Sequence, residues 1–162
     1  MLNPVLLSTE LIRIFRAKIS DPMVIAKQQA DTYAAYARDA SAGGTFPAFL
    51  GTEAELMKPI LYSALAVPVA GNPVSYAAAW SLAIASFWFL PPIAFAGPSA
   101  IGVSAAPLGS TILVPAIASA VAVPISPEVS AVGIAAALHA ATLTVIVTGT
   151  LTGGGPFSAP LI

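Results

Sequence analysis

Almost all charged residues of this chain lie in its N-terminal part. All six Lys and Arg residues lie at or before Lys58, and the 104 residues that follow contain one carboxylate, Glu128, and one imidazole, His139. The surface of a soluble domain usually carries charges at about a quarter to a third of its positions. A region with so few charges is poorly suited to contact with water, so we expect partner subunits or lipid to cover it.

The overall composition supports a division of the chain into two parts. Apolar residues make up 57% of the 162 residues, and charged residues 8%, against about 25% charged residues in a typical soluble domain. We therefore distinguish a charged, amphipathic helical part, residues 1–58, from an apolar helical part rich in Ala, Pro and Gly, residues 59–162. Residues 3–7 form a short apolar run with no basic residue before it, which is not typical of a secretory signal.

A polar residue followed by proline occurs four times and marks helix starts. Proline at the first helical position loses no hydrogen bond, and the side chain before it can accept one from a free backbone amide. The pattern predicts a mainly α fold of about four helices with a Pro/Gly-rich irregular segment, oligomeric or embedded in a larger assembly. The helices are expected over residues 4–18, 22–41, 73–90 and 127–142, after Asn3, Asp21, Asn72 and Ser126.

The two N-terminal helices have different surfaces. Leu7, Leu11 and Ile14 share one side of the first helix, which fits packing on a neighbouring helix or lying on a membrane surface. The second helix has a seam of small residues at Ala26 and Ala30, which favours close helix packing. Beyond it, residues 52–55 (Thr-Glu-Ala-Glu) predict a short helix that Lys58-Pro59 interrupts.

The C-terminal part has fewer regular signals. Prolines between residues 91 and 125 predict an irregular backbone, with short helical turns or extended pieces around residues 111–123. The β-branched residues 143–148 fit either a continued helix or a strand. The Gly153-Gly154-Gly155-Pro156 segment predicts a flexible or partner-held tail.

The titratable residues give no pattern typical of an enzyme. His139 has the apolar neighbours Leu138 and Leu143, which favours a packed or capping histidine over a catalytic base. Glu128 fits a helix-start residue, where a carboxylate is favoured by the helix dipole. Glu53 and Glu55 are two residues apart and therefore point in different directions on a helix.

Sequence motifs for catalysis and cofactor binding are missing. The chain has no Cys, which excludes disulfides and thiolate catalysis, and it has no Walker loop or nucleophile elbow. The triple glycine at residues 153–155 lacks the Lys-Ser/Thr of a phosphate-binding loop. We expect no catalytic, cofactor-binding or metal site, no cofactor and no small-molecule substrate.

The partners are expected to be copies of the chain and other subunits of an assembly, with lipid as a further contact. A net charge of −1 argues against direct binding of nucleic acid, which needs clustered Lys and Arg. An irregular backbone leaves polar groups that lipid cannot satisfy. The alternative is a small polytopic integral membrane protein in a cellular membrane, with its basic N-terminus in the cytoplasm.

The last part of the chain carries a resemblance to a known class of proteins. Residues 134–143 form an Ala-rich segment with a late His, followed by Val147-Thr148-Gly149-Thr150 and the Gly-Gly-Gly-Pro tail. Over residues 134–162 the chain resembles small apolar virion proteins of tailed bacteriophages. The resemblance implies a structural role in a tail, baseplate or injection apparatus of the virion, in several copies around a symmetry axis.

Overall fold

The structure is a computed structural model, and it describes residues 1–69, 72–90, 92–105, 107, 110–122 and 126–162. Along this part of the chain, each pair of helices is followed by one or two short strands. The helices are α1 (Pro4–Arg16), α2 (Pro22–Ala37), α3 (Glu53–Leu65), α4 (Pro73–Phe89), α5 (Ser110–Ala122) and α6 (Pro127–Thr142). The strands are β1 (Phe46–Ala48), β2 (Ala94–Ala96), β3 (Ala100–Ser104), β4 (Ile146–Leu151) and β5 (Pro156–Pro160).

The four predicted helix starts are confirmed. Proline occupies the beginning of α1, α2, α4 and α6. The side chains of Asn3, Asp21 and Ser126 accept hydrogen bonds from backbone amides of the first turn, whereas Asn72 makes no such bond. The helices end up to four residues earlier than predicted, the largest difference being at Ala37.

The prediction of a mainly α fold with about four helices is wrong. The described residues form six helices and a five-stranded antiparallel sheet, a mixed α/β fold. The additional helices α3 and α5 continue through Pro59 and Pro115, where the sequence indicated interruptions. Each proline costs one backbone hydrogen bond, but both rings are exposed and the opposite sides of these helices are buried. The buried side chains are Met57, Leu61, Leu113 and Ile117.

The sheet accounts for two segments that the sequence left irregular. Residues 94–104 form the hairpin β2–β3. The segment expected to be a tail, residues 153–156, instead forms the turn and the first residue of β5 in the hairpin β4–β5. Of the two alternatives for residues 143–148, the strand is observed, because α6 ends at Thr142 and β4 begins at Ile146. Ala and Gly have weak strand propensity, so pairing with distant residues determines these strands.

The helices form a closed ring. Each helix packs against the next one along the chain, and α6 packs against α1. Tilted and edge-to-face aromatic pairs fill the centre, including Tyr33–Phe87 at 5.2 Å and Phe87–Trp88 at 5.1 Å between ring centroids. Such pairs stabilise a core by about 0.5–1.5 kcal/mol each beyond their burial. No helix in the described ranges is both long and apolar enough to cross a membrane.

The sheet also closes on itself. Its strands follow the order β1-β2-β3-β4-β5, and every neighbouring pair is antiparallel. Ala42 and Thr45 form a tight antiparallel bridge just before β1. Ser41 exchanges two backbone hydrogen bonds, of 3.2 and 2.9 Å, with Ile162, which lies two residues after the end of β5. Residues 41–45 therefore connect the two ends of the sheet.

One structural unit occurs three times along the chain. Each unit has a 13-residue helix and then a helix of 16 or 17 residues. A β-hairpin follows in the second and third units, whereas the Ala42–Thr45 bridge and the single strand β1 follow in the first. We name them unit 1 (residues 1–50), unit 2 (51–105) and unit 3 (110–162). Residues four and eleven positions after the proline of each longer helix are fully buried in all three units: Ala26, Ala77 and Ala131, then Tyr33, Ile84 and Leu138. The fold is therefore pseudo-threefold in its topology.

The accessible surface shows that the chain covers much of its own apolar area. It measures 7639 Å², close to the roughly 7,500 Å² that the usual scaling gives for a folded monomer of 16.3 kDa. The apolar part of the chain thus contributes to a core of its own.

Substitution of Gly149 tests the close packing of β3 and β4. A Cβ at Gly149 would lie 1.9 Å from the carbonyl oxygen of Ile101, which is backbone and cannot move without separating the strands. We expect Gly149→Ala to lower the free energy of unfolding by at least about 2 kcal/mol, as overpacking does, measured by urea denaturation. Gly153→Ala is the matched control, since nothing lies within 4 Å of its Cβ position; equal effects of the two substitutions would contradict this packing.

Candidate functional site

His139 is a structural partner of Tyr36. Its Nδ1 lies 2.6 Å from the Tyr36 hydroxyl, and the two rings meet edge to face at 6.0 Å. Burial lowers the pKa of His139, which favours the neutral imidazole with Nδ1 as the acceptor. Burial is also the main cause that raises the pKa of Tyr36, so its hydroxyl keeps the proton that it donates. The pair joins α6 to α2.

A chain of hydrogen bonds lies at the centre of the helix ring. Trp88 Nε1 donates to the Tyr33 hydroxyl at 2.8 Å, and that hydroxyl lies 2.7 Å from Thr142 Oγ1. Thr142 Oγ1 in turn donates to the Leu138 carbonyl at 2.7 Å, so Tyr33 donates to Thr142. Burial raises the pKa of Tyr33. The local sequence does not reveal these hydrogen bonds, because Tyr33 is 55 residues from Trp88 and 109 residues from Thr142.

A second buried contact joins α2 to α4. Gln29 Nε2 donates to the Tyr76 hydroxyl at 2.9 Å, and burial raises the pKa of Tyr76 to about 12. These polar groups lie inside the ring, away from the exposed surface. Their arrangement is that of core hydrogen bonding.

The paired carboxylates Glu53 and Glu55 have separate structural roles. Glu53 is buried and accepts hydrogen bonds from the amides of Leu50 and Gly51, at 2.7 and 2.9 Å. Thr52, which precedes α3, has helical backbone angles and makes no side-chain capping bond. Glu55 is exposed and pairs with Lys58.

Glu128 closes the helix ring as well as starting α6. Its Oε1 lies 2.5 Å from Arg16 Nε in α1. Hydrogen bonding from Ser126, followed by its own backbone amide and Arg16, lowers the pKa of Glu128 to about 2. Glu128 therefore lies in the first turn of α6 and also forms an ion pair with Arg16, which is 112 residues away. The local sequence does not reveal this ion pair.

The remaining candidates are the triple glycine, clusters of metal-binding side chains and surface grooves. The triple glycine forms the exposed turn between β4 and β5, with positive φ at Gly154 and Gly155. Among the described residues, no group of three or more His, Cys, Asp or Glu side chains could hold a metal ion. A groove of about 360 Å³ between α1 and α2 is lined by apolar and neutral polar residues together with the charged residues Glu10, Arg13, Asp31 and Asp39. Two of these already pair with each other, Arg13 with Glu10 at 2.8 Å.

The most distinctive surface is the outward side of the sheet, which we name the outer sheet face. Alternation along each strand and the register between strands put eleven exposed side chains on this side, and none of them is charged. The opposite side packs on the helices, where Phe95 stacks on Trp88 at 6.4 Å. The face consists of Phe46, Ala48, Ala94, Ala96, Ile101, Val103, Thr148, Thr150, Pro156, Ser158 and Pro160.

Backbone pairing at the edges of this face is blocked. Pro47 lies in β1, and Pro156 and Pro160 lie in β5, the two outer strands of the five-stranded sheet. Proline has no amide hydrogen to donate to an added strand. A partner would therefore contact the side chains of the face instead of extending the sheet.

Charges and exposed apolar residues occupy different parts of the helix ring. Four of the five ion pairs among the described residues lie within α1, α2 and α3, and the fifth is Arg16–Glu128. Along α4, α5 and α6 the exposed positions are mostly apolar or small. Examples are Val74, Leu82, Ile112, Val129 and Val132.

Comparisons of this chain with protein-family models, curated proteins and solved structures gave no match.

Removal of the Tyr33 hydroxyl tests the central hydrogen bonds. Tyr33→Phe leaves the indole N–H of Trp88 without its acceptor and Thr142 without a donor in a buried site, a loss that costs about 1–3 kcal/mol. We expect this decrease in the free energy of unfolding by urea denaturation. Tyr62→Phe, at an exposed position, should change stability by less than about 0.5 kcal/mol; a similarly small effect at Tyr33 would contradict the assignment.

The pH dependence of stability tests the role of Glu128. Because folding lowers its pKa to about 2, the carboxylate stabilises the fold at neutral pH, and this contribution is lost as the pH falls from about 4.5 towards 2. We expect Glu128→Gln to lower the urea midpoint at pH 7 and to match the unsubstituted protein near pH 2. The difference at pH 7 should shrink in high salt, since the pair is exposed; a constant difference across pH would contradict the carboxylate's role.

Proposed function

We propose that this protein is a non-enzymatic structural subunit of a large assembly and that it packs against partner subunits through the outer sheet face. The observation that carries the proposal is the eleven-residue uncharged surface, with Phe46, Ile101 and Val103 each about half or more exposed. Isolated exposed apolar residues are common, but contiguous apolar patches mark interaction sites.

The distribution of charge supports an oriented position in the assembly. The ion pairs of α1, α2 and α3 suit contact with water, whereas the outer sheet face and the exposed sides of α4, α5 and α6 suit contact with protein. The core of an interface is depleted of charged residues. The charged helices would therefore lie outermost, and the sheet would point into the assembly.

We further propose that this assembly is the virion of a tailed bacteriophage and that the subunit belongs to its tail, baseplate or injection apparatus. The support for a role in the virion is the resemblance of residues 134–162 to small apolar virion proteins. These residues form α6 from Ile134 onward, β4 and β5, so the resembling segment supplies part of the outer sheet face.

Detergent-free extraction from the natural source tests the assembly. We expect the protein to sediment with a large particle at a fixed ratio to other subunits. Recovery as a free 16.3 kDa monomer would overturn the proposal. Recovery only in vesicles that detergent dissolves would favour a membrane protein instead.

A charge on the outer sheet face should prevent incorporation into the particle. Ile101 is 58% exposed, and Leu6 on α1 is 55% exposed, so the two positions form a matched pair. An unpaired charge buried at an interface costs several kcal/mol, and about 1.4 kcal/mol corresponds to tenfold in affinity. We expect Ile101→Lys to lower incorporation at least about tenfold in a complementation assay and Leu6→Lys to leave it unchanged; equal incorporation would contradict the role of the face.

A further inference from the structure

We propose that one internal water molecule binds between α2 and α4, where Gln29, Tyr76 and Trp80 hold it. This inference is independent of the proposed assembly role, because it concerns the interior of the helix ring. Its basis is that these three side chains are almost completely buried, while two of their polar atoms have no hydrogen-bond partner among the described residues. The water molecule connects unit 1 to unit 2 through the core.

The two atoms without a partner are the amide oxygen of Gln29 and the indole nitrogen of Trp80. Gln29 is 1% exposed and Trp80 is 0% exposed, so bulk solvent does not reach them. Buried polar groups of folded proteins nearly always have a partner, either in the protein or in an ordered water molecule. A third such atom among the described residues, Oε1 of Gln28, belongs to a partly buried residue of the groove between α1 and α2. The pair at Gln29 and Trp80 therefore needs a partner inside the core.

Both groups lie next to the hydroxyl group of Tyr76. Gln29 Nε2 lies 2.9 Å from this hydroxyl, so the oxygen of the same amide group is close by. Trp80 follows Tyr76 by one turn of α4, and the two rings meet edge to face at 6.5 Å between centroids. Burial raises the pKa of Tyr76, and the nearby Trp80 and Gln29 oppose this rise. The Trp80 indole is thus near the hydroxyl, although it is not placed to form a hydrogen bond with it.

One water molecule satisfies all three side chains. Because the Tyr76 hydroxyl accepts from Gln29 Nε2, its own hydrogen can be donated. A water molecule can accept this hydrogen and the indole N–H of Trp80, and it can donate to the amide oxygen of Gln29. About three hydrogen bonds is the usual number for a buried water molecule.

This count holds for both orientations of the Gln29 amide group. If its oxygen and nitrogen are exchanged, Tyr76 donates to the oxygen, and the amide nitrogen becomes the group without a partner. The water molecule then accepts from that nitrogen and from the indole of Trp80. In either orientation, a buried group remains that one water molecule satisfies.

The site lies between helices that are not neighbours in the ring. Along the ring α2 packs against α3, and α3 packs against α4. Gln29 and Tyr76 therefore reach across the interior to form their hydrogen bond. Side chains that meet from separate helices in this way can enclose a water molecule, whose volume is about 30 Å³.

Water fits this site better than an ion or an organic ligand. All three side chains are neutral, since burial keeps the Tyr76 hydroxyl protonated. An ion would lose its hydration here without gaining an opposite charge. The surface grooves at α1–α2, α3–α4 and α5–α6 are lined by other residues, so none of them includes this site.

The two tryptophans of the chain form a matched pair for an NMR test. Both are 0% exposed, and the indole N–H of Trp88 already donates to the Tyr33 hydroxyl at 2.8 Å. In the isotope-labelled full chain, we expect a nuclear Overhauser effect between a long-lived water molecule and the indole hydrogen of Trp80, and none at Trp88. Because each indole lies near a tyrosine hydroxyl, Trp88 also controls for signals relayed by exchange of a hydroxyl hydrogen.

Single substitutions Trp80→Phe and Trp88→Phe assign the two indole signals, since each removes one of them. Assignment through the neighbouring backbone signals replaces the substitutions if a variant does not fold. No effect at Trp80 would overturn the water site. Equal effects at both indoles would also overturn it, because they would indicate that solvent enters the whole core.

A crystal structure at a resolution that shows ordered water gives an independent test. We expect one water molecule within hydrogen-bond distance of Gln29, Tyr76 and Trp80. Direct hydrogen bonds among these three side chains, without a water molecule between them, would overturn the inference. None of these results depends on the use of the outer sheet face, so the water site and the assembly role can fail separately.

Discussion

The three longer helices are held together at the hydroxyl group of Tyr33. It comes from unit 1, accepts from Trp88 of unit 2 and donates to Thr142 of unit 3. Because each unit contributes one group, all three helices must be in place before these buried polar atoms are satisfied. Buried groups without partners cost about 1–3 kcal/mol each, so this contact favours the complete ring over partly assembled ones.

Small residues permit the close approach on which the ring and the sheet depend. Ala26, Ala77 and Ala131 are fully buried at equivalent positions of α2, α4 and α6. In the sheet, Gly102 and Gly149 face each other where β3 and β4 leave no room for a Cβ. The high Ala and Gly content that gave weak sequence signals is therefore a packing requirement.

The shortage of charge after Lys58 has two consequences in the folded chain. Much of the apolar sequence is buried by the helix ring, whose centre holds Trp80, Phe87 and Trp88. The rest forms the outer sheet face and the exposed sides of α4 to α6. A chain of this composition can fill its own core, yet it has few charged residues with which to complete a water-facing surface. The proposed packing against partner subunits follows from the second consequence.

The sequence by itself determined where α1, α2, α4 and α6 begin, because a polar cap followed by proline acts on the backbone of one turn. It also determined which part of the chain carries charge. Only the tertiary structure decided that α3 and α5 continue through proline and that segments of Ala, Gly and Thr form strands. It also decided the contacts of Tyr33, His139 and Glu128. Their partners are tens to more than a hundred residues away, and a local pattern contains no information about energies that arise when such distant residues pack.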